Sequence, residues 1–431
     1  MALQLINIGS APNDGTGDPI RTAYAKCNAN FLDLYSNQVG GIVPNVYYVA
    51  KNGDDSSAGN ALGEAFLTIK RAVQVATAYL TNNPGERVCI FVKSGDYIED
   101  NPIVCPRNLT IWGDNLRSVS VRPLNPTQDI FHVQNGDYIT GMTFRDHISG
   151  AAAVAFPTSG AGVITTSPYI QNCSSITTTG VGMRVDGNLA GGLKSMVTDA
   201  YTQINQGGKG IVITNQGYAQ LVSIFTICCN EGILVENGGT CSVTNSNTSF
   251  GTYGLVARGK VLLPNAGFTN GVNQTGRFIV IDGLTERPNV NQAVSFDNGT
   301  TLYNVWNATA LVGGQSVIEL GEDITTGIPD NTPAKFYIRS TITTSSHTFE
   351  YVGTGDVLVN ALPQTGALPV EANEIVTSDG GEVIYTSTDQ RGNFKIGDNL
   401  VINGIAGTIS GDTFDKSLFA VMTPYILAIE G

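Results

Sequence analysis

The fold of this chain is decided by residues 209–259, KGIVITNQGYAQLVSIFTICCNEGILVENGGTCSVTNSNTSFGTYGLVARG, in which one short pattern recurs. A β-rich run is followed each time by a turn. The copies are Ile211-Val212-Ile213-Thr214-Asn215, Gly232-Ile233-Leu234-Val235-Glu236-Asn237 and Gly254-Leu255-Val256-Ala257. Asn and Gly at the turns suit left-handed backbone, and stacked Asn side chains can form ladders. The repeat predicts coils of a β-solenoid.

Related segments extend this pattern over residues 119–256, at intervals of roughly 20 residues, which is a coil length typical of solenoids. A parallel β-helix is the favoured interpretation, and a β-sandwich built from hairpins is the main alternative. The stretch SGAAAVAFPTSGAG (residues 149–162) interrupts the rhythm. We expect it to form a loop that projects from one coil.

A helix precedes the repeats. The segment EAFLTIKRAVQVATAYL (residues 64–80) places Phe66, Ile69, Val73, Ala76 and Leu80 on one face, and RVCIFVKSGDYIED and IVCPRNLTIWGD follow it. This order resembles the opening of a pectin-lyase-like right-handed β-helix, in which a helix covers the first coil. A cap is needed because a terminal coil otherwise exposes an apolar end.

Beyond residue 260 the repeat weakens. The segment AKFYIRSTITTSSHTFEYVGTGDVL (residues 334–358) alternates cleanly, as in a small antiparallel β domain. The predicted fold is therefore mainly β: a parallel β-helix with an N-terminal α-helical docking segment and C-terminal β-rich domains. The predicted boundaries are 1–40 for the docking and trimerisation segment, 47–259 for the capped β-helix and 260–431 for the C-terminal modules.

The N-terminal stretch INIGSAPNDGTGDPIRTAYAKCNANFLDLY (residues 6–35) combines a turn with a helix start. Asn13, Asp14 and Gly15 supply turn chemistry. Asp18 is expected to cap the helix, with Pro19 at the first helical position, where a missing amide hydrogen costs nothing.

An apolar stripe with 4, 3, 4, 3 spacing follows, formed by Ile20, Tyr24, Cys27, Phe31 and Leu34. So narrow a stripe suits a small helical bundle. Because isolated short helices are marginal in water, we expect copies or partners to stabilise it. The alternative is an ordinary amphipathic helix that folds against its own domain.

Both ends of the chain resemble phage structural proteins. The N-terminal pattern is similar to the start of the trimeric baseplate wedge protein of T4-like phages and of many cyanophage structural proteins, and it is carried by Asn7, Ile8, Gly9, residues 14–18, Arg21, Lys26, Asn28, Asn30, Phe31 and Tyr35. The last 50 residues, 382–431, resemble a recurrent C-terminal module of cyanophage virion proteins. The resemblance implies assembly into a tail or baseplate and a location in the virion, after assembly in the host cytoplasm.

The docking and assembly residues that this resemblance and the helix pattern together predict are Asp14, Gly15, Gly17, Asp18, Ile20, Arg21, Tyr24, Cys27, Asn28, Asn30, Phe31 and Leu34. The expected partners are further copies of the chain, giving a homotrimer, and other tail or baseplate proteins. A host-surface glycan is a further expected partner of the body.

Composition narrows the other possibilities. A formal charge of −13 without clustered Lys or Arg argues against nucleic-acid binding. Seven cysteines without metal-ligand spacing predict reduced thiols and a protein folded in a reducing compartment. The N-terminus has no signal-peptide pattern, and no apolar run is long enough for a membrane span. No cofactor is expected.

Catalytic residues are not predicted. Hydrolysis of a glycan needs two carboxyl groups on one surface, and the candidates are Asp186, Asp199, Glu231 and Glu236. Glu231 and Glu236, five residues apart, would lie on opposite faces of a regular strand. Asp186 beside a glycine is typical of a turn.

Other motifs have ordinary structural interpretations. His132, His147 and His347 are scattered, and His132 is expected to point outward from a strand. The GGKG sequence at residues 207–210 lacks the other residues of a phosphate loop and predicts a turn. Asp54 and Asp55 lack the ligand spacing of a calcium loop and predict a solvated loop.

The tryptophans are few, since Trp112 and Trp306 are the only two in the chain. Trp112 is expected to be structural. The favoured function is a non-enzymatic component of a phage tail. The alternatives are a tailspike depolymerase, revealed by product release from a glycan, and a non-catalytic glycan-binding adhesin, revealed by saturable binding without product.

Overall fold

The computed structural model describes residues 4–11, 14–34, 45–157, 163–187, 194–290, 292–345, 347–353 and 355–361, without the side chains of residues 33 and 34. Beyond residue 361 it describes the backbone of five strands. The chain is 49% strand and 9% helix, and its centre is a parallel β-helix of about seven turns. The predicted fold class is therefore confirmed.

In the described part of residues 4–258, the structure has two α-helices, α1 and α2, and nineteen strands. The helices are α1 Ile20–Leu34 and α2 Ile69–Asn82. The strands are β1 Val46–Val49, β2 Val88–Val92, β3 Gly95–Glu99, β4 Ile103–Val104, β5 Leu109–Gly113, β6 Val119–Pro123, β7 Phe131–His132, β8 Tyr138–Thr140, β9 Thr143–Arg145, β10 Ala152–Ala155, β11 Tyr169–Thr177, β12 Val181–Asp186, β13 Ser195–Asn205, β14 Lys209–Thr214, β15 Tyr218–Ile227, β16 Glu231–Glu236, β17 Thr240–Thr244, β18 Asn247–Ser249 and β19 Tyr253–Arg258.

These strands form three faces. Three long strands, β11, β13 and β15, each contribute to two faces. The first face is β1-β2-β5-β8, followed by the first halves of the long strands and then β17. The second face contains β3, β6, β9, the second halves of the long strands and β18. The third face is β4-β7-β10-β12-β14-β16-β19. The long strands bend where Asn172, Ala200 and Ser223 adopt φ of 48°, 49° and 52°, so left-handed residues make the corner between two faces.

The predicted repeat is confirmed in register. Ile211 pairs with Ile233, and Ile233 pairs with Leu255, all in parallel. Asn215 and Asn237, at the ends of two of these runs, have φ of 51° and 50°, as the Asn-at-corner pattern predicts.

Stacking in register builds the core. The interior row of the first face is apolar almost throughout and consists of Ile90, Ile111, Ile139, Ile170, Thr198, Leu221 and Val243. All of these side chains are buried. Each coil removes the apolar surface of the next from water, which is why the coils do not fold singly.

A glycine recurs at the second position of β12, β14, β16 and β19. At Gly210 an added Cβ would overlap the Gly232 carbonyl and approach the Thr226 methyl group. The glycine lets neighbouring coils and an interior threonine approach closely, a role that no side chain could fill without displacing backbone.

The helix α2 covers the first coils, as predicted. Its side chains Ile69, Val73, Ala76 and Leu80 are buried in the same apolar cluster as the first strands, and Phe66 joins them. The Thr68 hydroxyl accepts a hydrogen bond from the Arg71 amide and caps the helix. The helix begins at Ile69, five residues after the predicted start, because a short 3₁₀ turn and an extended link precede it.

An antiparallel barrel interrupts the β-helix. Its strands are β20 Lys260–Thr269, β21 Gln274–Asp282, β22 Ala293–Ser295, β23 Tyr303–Ala308, β24 Ser316–Ile328 and β25 Pro333–Arg339, closed in the order β20-β21-β24-β23-β22-β25. The Ser340 amide donates to the Gly259 carbonyl at 3.1 Å, so the chain leaves and re-enters the β-helix at adjacent residues. The barrel is an insertion in the β-helix.

After the barrel the chain returns to the β-helix. Strand β26 Thr341–Thr343 pairs in parallel with β17, the hairpin strand β27 Thr348–Glu350 follows, and β28 Val357–Asn360 pairs antiparallel with β19. The alternating segment 334–358 is thus divided among the barrel and two faces of the helix, and its assignment to a separate β domain was wrong. Alternation of apolar and polar residues indicates a half-buried strand, but it does not indicate which sheet the strand joins.

The expectation of a projecting loop at residues 149–162 was also wrong for part of this segment. Ala152–Ala155 forms β10, with all four residues buried between β7 and β12. Ala152 and Ala155 belong to a buried apolar cluster with side chains of the neighbouring strands, such as Val212 and Leu234. Residues 158–162 lie outside the described residues.

The remaining strands form a five-stranded antiparallel sheet in the order β29-β30-β33-β32-β31. They are β29 Ile375–Ser378, β30 Val383–Thr386, β31 Asn399–Ile402, β32 Ile405–Phe414 and β33 Tyr425–Glu430. Within the described residues, no helix is long and apolar enough to cross a membrane. All seven cysteines are free thiols, and burial raises the pKa of Cys173 to about 12.

Candidate docking segment

Residues 4–34, here called the docking segment, are organised around two hydrogen bonds between Asn7 and Asp18. The Asp18 amide donates to the Asn7 carbonyl at 2.7 Å, and the Asn7 amide donates to Asp18 Oδ2 at 2.9 Å. The Asn7 side chain closes the loop further, since its Nδ2 donates to the Thr16 carbonyl and its Oδ1 accepts from the Gly9 amide. Gly17 lies where the loop is tightly packed, since a Cβ there would lie 3.1 Å from the Asn7 carbonyl oxygen.

Asp14 is the centre of the turn. Its carboxylate accepts hydrogen bonds from the amides of Ser10, Ala11 and Thr16 at 2.6, 2.8 and 2.9 Å. These bonds, the one from Thr16 foremost, hold the pKa of Asp14 well below its usual range. Gly15 has a φ of +78°, so the turn needs a residue without a side chain there. Asn13, the other predicted turn residue, lies outside the described residues.

The Asp18 carboxylate does not cap the helix, contrary to the prediction. It accepts from the Asn7 amide and forms a 2.7 Å ion pair with Lys26, and the hydrogen bond from Lys26 is the main cause of its lowered pKa. Within the first turn of α1, the amides of Thr22 and Ala23 donate to the Pro19 carbonyl. Pro19 therefore precedes α1 and does not occupy its first position.

Two side chains of α1 bind the chain that precedes the loop. The Asn30 amide group both accepts from the Gln4 amide at 3.0 Å and donates to the Gln4 carbonyl at 2.7 Å. Lys26 Nζ donates to the Leu5 carbonyl at 3.0 Å. The segment before the loop is thus fastened along α1 by polar bonds. The sequence pointed to Lys26 only through the resemblance. Its contacts with Leu5 and Asp18 became evident only in the structure.

The predicted stripe of α1 faces solvent. Ile20, Tyr24 and Phe31 are 77%, 66% and 67% exposed, whereas Cys27 is half-buried. The side chain of Leu34 lies outside the described residues. Arg21 and Asn28 are also exposed. A short helix held by polar bonds on one side therefore presents its large apolar side chains outward on the other.

The candidate carboxylates of the β-helix are engaged with protein groups. Asp186 accepts from Asn215 Nδ2 at 3.0 Å, at a corner of the coils. Glu231 is buried and accepts from Arg258 at 2.7 Å, and Glu236 lies 3.9 Å from the same guanidinium. Glu231 and Glu236 were predicted to lie on opposite faces of the strand, but both carboxylates lie near the Arg258 guanidinium. Glu231 is the first residue of β16, where the regular alternation of side chains has not yet begun.

The histidines also have structural partners. His132 lies on the outer row of the third face, as predicted, but is only 9% exposed, and its Nε2 is 3.0 Å from Asp129. His147 is fully buried against the Val181 carbonyl, and burial lowers its pKa. His347 stacks on Phe349 in the hairpin after the barrel. Among the described residues, no group of three His, Cys, Asp or Glu side chains could hold a metal ion.

The structure also bears on the predictions for Asp55, Trp112 and the turn at residues 207–210. Asp55 is not simply a residue of a solvated loop: its carboxylate accepts from the Leu67 and Thr68 amides and fastens the link to α2. Trp112, which was expected to be structural, is 49% exposed on the outer surface of the first face, and its ring lies 5.6 Å from that of Phe91. The turn predicted at residues 207–210 ends at Gly208, and Lys209 begins β14.

No protein-family model and no curated protein matches the chain. Among solved structures, the chain is similar to Escherichia coli YbhC, with 14% identity, a TM-score of 0.30 and coverage of 53% of this chain and 70% of that one. It is also similar to ORF18 of Geobacillus virus E2, with 10% identity, a TM-score of 0.27 and coverage of 92% and 91%. A third is the A-module of the mannuronan C-5 epimerase AlgE6 of Azotobacter vinelandii, with 10% identity, a TM-score of 0.27 and coverage of 48% and 73%. These similarities are remote and carry no argument about function.

Proposed function

We propose that this chain is a non-enzymatic structural component of a phage tail, located in the virion. It docks through residues 4–34 and presents its β-helical body to another fibre subunit or to the host surface. The observation that carries the proposal is the exposed stripe of Ile20, Tyr24 and Phe31 on a helix whose polar side is already occupied. An exposed apolar stripe favours association, because association removes its side chains from water.

The residues of the N-terminal resemblance support the same interpretation. Asn7, Gly17, Asp18, Lys26 and Asn30 make the loop and its contacts with α1. These residues stabilise the conformation of the loop, whereas the exposed side chains of Ile20, Tyr24 and Phe31 can contact a partner. A preordered segment loses less conformational entropy on association than a disordered one.

We propose that the stripe packs against the same stripe of two further copies of the chain. The 4, 3, 4, 3 spacing is that of a helical seam, in which side chains of one helix fit between those of its neighbours. A closed ring of identical chains is the usual form of a homo-oligomer. The resulting trimer would then attach to tail or baseplate proteins through the outer surface of the bundle.

The solution mass of the full chain tests this proposal, by light scattering together with negative-stain imaging. We expect an elongated trimer for the full chain and a loss of mass for a chain that lacks residues 1–40. Within the full chain, Phe31→Ser should dissociate the trimer. Leu32→Ser is the matched control, because Leu32 is 65% exposed on the same helix but lies outside the stripe. A full-length chain that is monomeric at micromolar concentration would contradict the trimer.

A further inference from the structure

The outer surface of the first face carries a strip of aromatic side chains. Tyr48, Phe91 and Trp112 occupy one register position on β1, β2 and β5. Their ring centroids are 5.9 Å apart between Tyr48 and Phe91 and 5.6 Å apart between Phe91 and Trp112. Parallel strands repeat about every 4.8 Å, so identical positions on successive coils stack flat rings along the helix axis.

The strip continues on the next two coils, displaced by two residues along the strands. Tyr138 of β8 pairs in register with Tyr169 of β11, and their rings stack at 5.7 Å with an interplanar angle of 17°. Trp112 is paired with Thr140, two residues after Tyr138, so the two stacks adjoin. Together Tyr48, Phe91, Trp112, Tyr138 and Tyr169 form what is here called the aromatic strip.

Polar groups border the strip at its far end. The Tyr138 hydroxyl donates to Gln171 Oε1, and Gln171 Nε2 donates to Asp199 Oδ2 at 2.9 Å. The Tyr169 hydroxyl donates to the same Asp199 oxygen at 3.2 Å. These bonds hold the amide and the carboxylate in fixed positions next to the rings, so a ligand would not need to order them on binding.

This combination matches the chemistry of a carbohydrate. A pyranose has an apolar C–H face that packs on a flat ring and an edge of hydroxyl groups that donate to fixed acceptors such as Asp199. A linear polysaccharide repeats these features along its length, as the strip repeats rings from coil to coil. Binding sites of this kind combine apolar and aromatic walls with a few well-placed polar groups.

Charge selects among carbohydrates. Asp199 is the one charged residue among the seven that form the strip and its polar border, and the chain as a whole has a formal charge of −13. An anionic polysaccharide would therefore be repelled, whereas a neutral one would not. A second copy of this chain is also disfavoured, because it would bring two acidic surfaces together and would remove the Asp199 carboxylate from water.

We propose that the aromatic strip binds a neutral polysaccharide, whose sugar rings pack on the exposed Trp112 and beside the Tyr138–Tyr169 stack and whose hydroxyl groups donate to Asp199. This inference rests on one part of the proposed function, namely that the β-helical body is presented to the host surface, and it assigns a ligand to that body. The docking segment takes no part in it.

Affinity electrophoresis of the full chain tests this site. Native gels contain hydroxyethyl cellulose or dextran as neutral polysaccharides, or alginate as the anionic comparison. We expect retardation in at least one neutral gel and none in alginate. Trp112→Ala should weaken the retardation about tenfold, as expected for an aromatic anchor. The matched control is Trp306→Ala, since Trp306 is 55% exposed but lies on the barrel.

Two milder variants keep the test informative if Trp112→Ala misfolds. Tyr138→Phe removes only a hydroxyl, and Asp199→Asn removes the charge and replaces one acceptor oxygen with a donor of the same size. Both should reduce retardation without changing the circular dichroism spectrum. Mobility that no neutral gel changes, or equal losses for Trp112→Ala and Trp306→Ala, would overturn the proposal. So would a changed solution mass of Trp112→Ala, which would identify a second copy as the occupant. Failure of sugar binding would leave the mass of the full chain as it was, so the two proposals fail separately.

Discussion

The Glu99 carboxylate accepts a 2.8 Å hydrogen bond from the Ile69 amide, and so fastens the first turn of the covering helix to a strand 30 residues further along the chain. Its second oxygen accepts from the Lys70 amide at 2.9 Å. The carboxylate therefore lies at the positive end of α2, where a negative charge is favourable. It is also 1% exposed, and burial raises its pKa to about 7.

This carboxylate predicts a pH dependence. Because the folded pKa of Glu99 lies above its ordinary value of 4.5, the folded state binds more protons than the unfolded state between about pH 4.5 and 7. The free energy of unfolding should therefore fall as pH rises through this interval. Glu99→Gln, which cannot ionise, should remove that part of the slope. Urea denaturation at pH 5, 6, 7 and 8 measures it, and equal slopes for both proteins would contradict the assignment.

A second prediction concerns the glycine at the start of β14. Gly210→Ala places a methyl group against the Gly232 carbonyl, a backbone atom that cannot rotate away. We expect a loss of about 1–3 kcal/mol in unfolding free energy, as for an overpacked core. Gly85→Ala is the control, since a Cβ there meets nothing within 4 Å. Similar melting temperatures for the two variants would show that the coils can separate at little cost.

A third prediction concerns Arg258, which joins the β-helix to the segment that follows the barrel. Its guanidinium contacts the buried Glu231 at 2.7 Å and Asp356 at 2.7 Å. Arg258→Met should destabilise the fold by about 1–3 kcal/mol, because it leaves a buried carboxylate without this partner. The double variant Glu231→Gln/Arg258→Met should recover part of the loss.

The exposed ion pair of Arg122 with Asp96 supplies the comparison for Arg258. Arg122→Met should change the unfolding free energy by less than about 1 kcal/mol, because exposed pairs contribute little. Chemical denaturation of the three variants measures all of these effects. An Arg258→Met variant as stable as Arg122→Met would show that solvent replaces the guanidinium.

A fourth prediction separates the docking segment from the body. Asp14→Ala removes the acceptor for the amides of Ser10, Ala11 and Thr16. We expect Asp14→Ala to dissociate the proposed trimer, whereas the unfolding temperature of the β-helix should stay as in the wild type. Asp54→Ala is the control, because Asp54 accepts from the Ser56 amide in a comparable turn of the body. An Asp14→Ala chain with wild-type mass would show that the turn is dispensable for assembly.

The sequence by itself determined the β-helix and its covering helix. The repeats at Ile211, Ile233 and Leu255 and the face of α2 are local patterns, and local patterns report which side of an element is buried. It also located the apolar stripe of α1, since the spacing of Ile20, Tyr24 and Phe31 is a property of the helix alone.

Only the tertiary structure decided what pairs across long separations. The return of β26 to β17 after the inserted barrel and the aromatic strip both depend on residues distant in sequence. The ion pair of Asp18 with Lys26 joins residues only eight apart, but the sequence offered a helix cap as an equally local role for Asp18. Trp112 shows the reason. A tryptophan in a strand can face the core or solvent, and its neighbour Phe91 becomes visible only when one coil is laid in register on the next.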